Sequence, residues 1–582
     1  RRDADPAQAR VTRSGQRFRA RCAALALASA ALCPLPVAAQ DTGIFVATSD
    51  TALPPAILQN ARIDAVQITG IDPQSPLYGS VGAAFAIVPG DPVEWLKLQQ
   101  GLTAVRGLDD VAAARFTVAR DANPTRTTVT LAIDASTAAK PAASGFPTLL
   151  RTDSALVTLI ASGSFGAFSD SNPWFGDGPT FTRLSAVAKH PATGTRASWV
   201  EASFEAGAGG ITQLGNAPVY IYGAATALWS GSLGQDLFTN EARSMVAAEK
   251  LYAGLLYADK ANRRAANLSF GRQNYTLGDG FLFSQYSGSA NAGPRPGLYL
   301  SPRTTFDMTA LVNIRLDTLR VQGFYLDPNE IEDFESNTNF AGGNINWQVT
   351  PKITVGATYV TIPRSDSRFR LPGGGSVPRQ GEETLAVNLR LDDVLGLNGS
   401  WVQGEYAGQW DGSETRAWAG YAIVGWHAPG SGWQPSLSYR YSAFSGDDPA
   451  TARYERYDPL MSGGLADWVQ GVNMKKLFGN ANMNVHRVRA TAKPAGNLTL
   501  TLDLFDFQAR ELNNIGGLPA LDTLATHDVG REVTLRGDWV VSKRLFILLL
   551  ASHAVPGSAI VDAAVRQARP WTTLQFSAFV NF

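Results

Sequence analysis

The chain has 582 residues, of which 45% are hydrophobic and only 17% charged, with 50 basic against 50 acidic side chains and two cysteines. That length exceeds what one hydrophobic core usually takes, and the charge content is lean for a soluble enzyme. No apolar run reaches the roughly 18 to 20 residues of a membrane-crossing helix, which excludes a helical membrane bundle.

The first 39 residues read as a secretory signal. Arg10, Arg13, Arg17, Arg19 and Arg21 form a positive lead, Ala23 to Leu32 a short apolar core, after which Pro34 and Pro36 interrupt the apolar run, and Val37-Ala38-Ala39 a small-residue cleavage site. Cys22 and Cys33 both fall inside it, so the remainder has no thiol for a disulfide, a metal or a nucleophile. The segment carries seven arginines and two aspartates, so the rest of the chain stands near −5. A chain of that charge presents no global basic field for nucleic acid.

Residues 40–52 read as a flexible lead-in, and 53–134 as a small α+β domain. A strand is expected over 61–69 (ARIDAVQIT). A helix is expected over Asp91 to Leu108, with Trp95, Leu96, Leu98, Leu102 and Val105 at helical spacing. Two strands follow, Ala113 to Arg120 and Arg126 to Ile133, joined by the polar turn Asp121 to Pro124. The pattern resembles a POTRA domain, the periplasmic βααββ unit that precedes many outer-membrane barrels; any other small α+β domain would show the same pattern. Residues 135–150, rich in Ala, Ser and Pro as far as Pro147, read as a linker.

From 151 to 582 the chain changes character. Segments of about ten residues alternate apolar with polar and are separated by Gly, Asp, Asn and Pro, the signature of a transmembrane barrel. Thr384 to Leu391 (TLAVNLRL) puts Leu385, Val387, Leu389 and Leu391 on one face against Asn388 and Arg390. Asn497 to Leu504 (NLTLTLDL) repeats the pattern. The count is about 18 strands, within the range of bacterial barrels. The fold class expected is therefore an all-β antiparallel transmembrane barrel preceded by a small α+β periplasmic domain. The final segment, Trp571 to Phe582 (WTTLQFSAFVNF), alternates to its last residue. A terminal Phe582 resembles the signal that outer-membrane barrels present to their assembly machinery. A soluble sandwich would also alternate, but mid-strand Arg, Asp and Glu facing a continuous apolar face suit a wet lumen better than a sandwich core.

With the apolar face turned to lipid, the inward positions become readable. The basic ones are Arg183, Lys189, Arg315, Arg320, Arg390, Arg440, Arg487, Arg489 and Arg536; the acidic ones are Glu201, Glu205, Asp307, Glu405, Asp503 and Asp538. Two readings of this set stay open. Rings of arginine favour anions in a pore and fork onto carboxylates, with interleaved acids keeping each site weak. Alternatively, Arg and Asp simply pair across strands and stiffen the wall.

Several blocks resemble the alginate-export family of outer-membrane porins. They are Leu268 to Asp279 (LSFGRQNYTLGD), Arg303 to Phe306 with the strand to Arg315, Tyr439 to Asp448 (YRYSAFSGDD), Tyr457 to Trp468 (YDPLMSGGLADW) and the strands from Asn482 to Asp506. Gly271-Arg272-Gln273 is the sharpest element. The resemblance implies a barrel whose arginine-rich constriction passes an anionic polysaccharide or small anions across the outer membrane, with Arg272, Arg303 and Arg440 near the path. Outer-membrane lipid and periplasmic export components are the other partners it implies. That family does not require a module such as 53–134, which is shared instead with the Omp85 and two-partner-secretion protein transporters. Their Arg-Gly signature sits on a late barrel loop, whereas here Arg536-Gly537 lies in an expected strand and Arg106-Gly107 in the N-terminal module. A protein transporter, a general diffusion porin and an adhesin with long loops around 274–303 and 442–472 remain as alternatives. No enzyme or cofactor is expected: the five histidines are scattered, and Leu371 to Val377 (LPGGGSV) lacks the lysine and helix of a phosphate cradle.

Overall fold

The computed structural model describes residues 44–581 except 50–61, 74, 107, 109, 122–126, 136–147, 153, 175–194, 216, 238, 260–263, 285–305, 331–334, 413, 429–430, 464–466, 518–520, 543 and 565–566. The expected signal segment, Arg183, Lys189, Arg303 and Phe582 lie outside the described residues.

The N-terminal module has strands β1 (Ile44–Thr48), β2 (Ala65–Thr69), β3 (Val111–Asp121) and β4 (Thr127–Ala135), with helices Pro76–Phe85 and Trp95–Arg106 between β2 and β3. The sheet order is β1-β3-β4-β2, with β2 parallel to β4 and the other pairs antiparallel. The strand β2, the second helix and the last two strands lie where the sequence placed a strand, a helix and two strands, and a further helix, Pro76–Phe85, follows β2 to make the order βααββ from there onward. The first helix is rich in Gly and Ala, which hides its periodicity. Its start is fixed by Pro76 in the first turn and by Ser75, whose Oγ accepts from the Tyr78 N–H at 3.2 Å. Residues 44–48 depart from the flexible lead-in expected for 40–52: their β-branched and aromatic run fills the open edge of β3. Val81, Phe85, Leu98, Leu102, Val105, Phe116, Val118, Val129 and Leu131 are fully buried between helices and sheet, giving the module its own core.

The wall strands are β6 (Ala155–Ser171), β7 (Arg196–Gln213), β8 (Val219–Gln235), β9 (Arg243–Asp259), β10 (Arg264–Arg272), β11 (Phe306–Leu316), β12 (Leu319–Pro328), β13 (Asn339–Thr350) and β14 (Ile353–Arg364). They continue, after a small hairpin of β15 (Arg368–Arg370) and β16 (Ser376–Pro378), with β17 (Glu383–Asp392), β18 (Ser400–Asp411), β19 (Thr415–His427), β20 (Ser436–Phe444), β21 (Met483–Ala495), β22 (Leu498–Ala509), β23 (Asp528–Val540), β24 (Leu545–Pro556) and β25 (Trp571–Asn581). Each pairs antiparallel with the next, and β25 pairs with β6 to close an 18-stranded barrel. The short β5 (Thr148–Arg151) pairs with Leu156, Val157 and Thr158 of β6, on the edge that β25 occupies from Ser162 to Ser171. It thereby caps the edge that β25 leaves open.

The two ends of the barrel differ. Turns at one end are as short as Asp317-Thr318 and Pro351-Lys352, while the other end carries connections as long as 445–482. Short turns on the periplasmic side and long loops outside are the usual arrangement. The parity read from sequence holds along the wall: Leu385, Val387 and Leu389 face outward and exposed, while Thr384 and Ala386 face inward and buried. Toward the long-loop end, inward Phe324, Phe340, Tyr421 and Phe444 pack against Phe281, Phe283, Tyr457 and Trp468, which come from loops folded into the barrel.

Val387 lies mid-strand on the outward face. Replacing it with Arg places a charge in lipid, an expected cost of about 2–4 kcal/mol in urea-driven folding into vesicles. Arg at the adjacent Asn388, whose side chain turns the other way, is expected to cost far less; equal losses would mean the parity is wrong.

Candidate functional site

Alternation along SLSYRYSAF and MNVHRVRATAKPA turns Arg440 of β20 and Arg487 and Arg489 of β21 into the lumen. The register sets Arg440 directly opposite Arg487, and Arg489 opposite Asp503 of β22. Two like charges facing each other across a strand pair are unfavourable without an acid between them. That acid is Asp467, delivered by the inward-folded connection 445–482. Its carboxylate accepts from Arg440 Nη1 at 3.0 Å, from Arg487 Nη1 and Nη2 at 2.9 and 3.1 Å, and from Arg489 Nη1 at 2.5 Å. Asp503 accepts from Arg489 Nε and Nη2 at 2.7 and 2.8 Å. The next loop residue, Trp468, lies under the Arg440 guanidinium, 4.1 Å from ring centroid to Cζ. Arg440 and Asp467 are almost wholly buried. Burial works to raise the Asp467 carboxyl, but the pull of Arg487, Arg489 and Arg440 outweighs it and holds the group well below the usual carboxylate range.

A second inward loop meets the first. Asp279 accepts from the Tyr421 hydroxyl at 2.7 Å and from Gln403 Nε2 at 3.3 Å, and burial raises its carboxyl. Phe281 from the same loop packs on Trp468 at 4.8 Å. This loop begins at Gly271-Arg272-Gln273, and the structure explains that motif. Gly271 has φ +116°, and a Cβ there would stand 2.3 Å from the Leu251 carbonyl oxygen. The turn it permits lets Gln273 reach Ser269 and Thr309 at 3.0 and 2.8 Å, while Arg272 pairs with Asp307 at the loop-side ends of β10 and β11.

From the short-turn end the N-terminal module enters the barrel mouth. Asp64 pairs with Arg320 of β12 at 3.0 Å, and Arg62 donates to Asn344 of β13 at 3.2 Å. Asp91 accepts from Asn267 of β10 at 2.9 Å, and Glu94 accepts from the Tyr252 hydroxyl of β9 at 2.8 Å. Lys97 lies 5.0 and 5.1 Å from the ring centroids of Tyr222 and Tyr252, and Gln100 donates to Thr158 of β6 at 3.3 Å. Every one of these partners faces inward. At the inner end of the module, buried Arg120 stands within the electrostatic reach of Asp467, Asp64, Asp279 and Arg489. Burial draws its guanidinium down to about 10. The module and the two loops therefore approach one another at the arginine cluster.

Of the residues singled out from sequence, Arg440, Arg487, Arg489 and Asp503 come together, and Arg320 serves the module. Others are paired apart from the cluster: Arg390 with Asp392, Arg536 with Asp538 at 2.7 Å, and Glu205 with Lys250 at 2.5 Å. Glu201 accepts from Trp199 Nε1 at 2.7 Å, and Arg315 Nε donates to the Asp317 carbonyl at 3.0 Å. Glu405 is among the groups acting on Tyr421 beside Asp279. For these arginines, wall-stiffening pairs describe the geometry; for the central three, convergence on one acid does. Sequence reasoning missed Asp467, Asp64, Lys97 and Arg120 as site residues. Asp467 had a signal, since it lies in the block Tyr457 to Trp468; the module residues had none, because strand parity says nothing about what enters a lumen.

A family model described as alginate export matches residues 230–572. Comparison with curated proteins returns no match. Among solved structures, this chain is similar to OccK5 (OpdH) of Pseudomonas aeruginosa at 11% identity, with 73% of this chain and 98% of that chain covered and a TM-score of 0.42. It is similar to OpdO of Pseudomonas aeruginosa at 14% identity, with 73% and 97% covered and a TM-score of 0.39. It is also similar to Salmonella typhi OmpF in complex with daunomycin at 10% identity, with 74% and 99% covered and a TM-score of 0.35. At these TM-scores none of the three bears on the function of this chain.

Two outcomes follow from the geometry. Reversing either charge of the Asp64–Arg320 pair (D64R or R320D) should make the module more accessible to protease in vesicle-reconstituted protein, and the double reversal should restore protection. Additive losses in the double variant would rule the contact out as a docking element. A carboxyl depressed in the folded state contributes stability that is present above its unfolded value, about 3.9, and is lost only as pH falls through the lower folded value. The Asp467 contact should therefore survive acidification from pH 7 to about 4.5, and protease resistance of the segment 467–482 should be unchanged over that range.

Proposed function

Since this chain belongs to the alginate export family and is an outer-membrane channel, we propose that it passes acidic polysaccharide chains, or small carboxylates, along its arginine-bearing lumen. The observation that carries this reading is the convergence of Arg440, Arg487 and Arg489 on a single carboxylate. A uronate chain offers the same group at every sugar, and guanidinium forks suit it in charge and geometry. Passage also requires release. Asp503 supports this by sharing Arg489, so that a visiting carboxylate meets a partly satisfied donor and no deep trap. The module faces the periplasm in this reading, and the long connections face the exterior, so the polymer leaves by the loop-side end.

The test is electrical. In planar bilayers the protein should prefer Cl⁻ over K⁺, and sodium tetragalacturonate should block the current where a neutral oligosaccharide does not. Each charged hydrogen bond is worth about 1.5–3 kcal/mol, so replacing both Arg487 and Arg489 with Gln should weaken the block by about a hundredfold or more. A protein silent to ions that responds only to a secreted polypeptide would overturn this reading in favour of a protein transporter.

A further inference from the structure

We propose that Asp467 is a tethered stand-in for the carboxylate of the transported chain, so that the polymer gains the arginine seat by displacing a carboxylate of the protein itself. The inference rests on the reading of the lumen as a path for carboxylate-bearing chains, and it adds how that seat is filled when no chain is present.

Three features of the seat support it. First, Asp467 does not belong to the wall: it reaches the arginines from the 445–482 connection, whereas Arg440, Arg487 and Arg489 sit on neighbouring wall strands in fixed register. A wall built only for rigidity would take its acid from the wall itself, as Arg489 does from the adjacent strand with Asp503 and Arg536 does from its own strand with Asp538. Second, the pair Asp467-Trp468 offers a carboxylate followed by a flat apolar face, the two surfaces an acidic sugar presents. Trp468 is held between Arg440 at 4.1 Å and Tyr421 at 4.7 Å. Third, the seat has more donors than Asp467 uses. The Nε–H of Arg440 is buried without a hydrogen-bond partner among the described residues, and that of Arg487 makes no hydrogen bond there either, facing only Asp503 Oδ1 at 4.0 Å. A buried donor left unmet is costly, and a ligand carrying a carboxylate beside ring hydroxyls would supply the missing acceptors.

The segment after Asp467 is anchored independently of it. Glu532 of β23 accepts from Asn473 N at 3.1 Å and Met474 N at 2.9 Å, and Asn473 Nδ2 donates to the Trp571 carbonyl at 3.0 Å. The Asp467 end can thus leave the arginines while Asn473 and Met474 stay fixed to the wall. Gln470 lies between the two, accepting from Arg440 Nη2 at 3.3 Å and from Ser442 Oγ at 3.0 Å.

The experiment uses the full chain reconstituted in vesicles and planar bilayers, with tetragalacturonate as the probe. D467N removes the internal competitor, and the concentration giving half block should fall at least tenfold against wild type. D467E, which keeps the competitor, should stay within a few-fold of wild type, and a neutral galacto-oligosaccharide should be inert on all three. Should D467N fail to insert, the same competition is read in a Q470C variant that retains Asp467. Thiol labelling at position 470 should accelerate when tetragalacturonate is added and stay constant with the neutral sugar. An anion-selective, uronate-blocked channel in which D467N binds no more tightly, or in which labelling at 470 ignores the uronate, overturns the stand-in and leaves the transport reading intact. A channel that neither prefers anions nor responds to uronate overturns both.

Discussion

Everything else in this molecule depends on closing the sheet. A strand in lipid cannot leave its N–H and C=O groups unpaired, since hydrocarbon offers no substitute partner. The pairing of β25 with β6 is therefore the constraint from which the rest follows. Closure fixes a lipid side and a lumen side for every strand. Once Leu385, Val387 and Leu389 face lipid, the polar residues between them have one place to go.

A lumen built this way gathers charge, and gathered charge is costly unless it is matched. Two solutions coexist. Arg390 and Arg536 are neutralised within their own strands by Asp392 and Asp538, a local arrangement that asks nothing of the loops. Arg440, Arg487 and Arg489 are stacked across β20 and β21 and draw on an acid from outside the wall. The first solution stiffens the wall; the second ties the state of a loop to the occupancy of a cationic seat.

The same seat is approached from below. The N-terminal module has its own buried core and meets the barrel through polar and charged contacts, Asp64 with Arg320, Asp91 with Asn267 and Glu94 with Tyr252, and through a buried apolar cluster in which Ala86 and Val88 pack with Tyr220, Tyr222, Tyr252 and Leu256. Arg120 carries the module's charge to the region of Asp467 and Asp279, so both plugging elements share one electrostatic centre.

Sequence by itself determined the wall. Period-two alternation survives in Thr384 to Leu391 and Asn497 to Leu504 because lipid and water select opposite chemistries on opposite faces, and each choice is local to a strand. The same parity turns Arg440, Arg487, Arg489 and Asp503 inward from their strand sequences alone. What only the tertiary structure decided is which of those arginines meet, and what they meet. That depends on the register between β20, β21 and β22, on the fold of the connection bearing Asp467, and on a module placed against strands far along the chain. Such contacts join residues with no periodic relation to each other, as Arg62 and Asn344 show. Only the closed barrel brings them within reach.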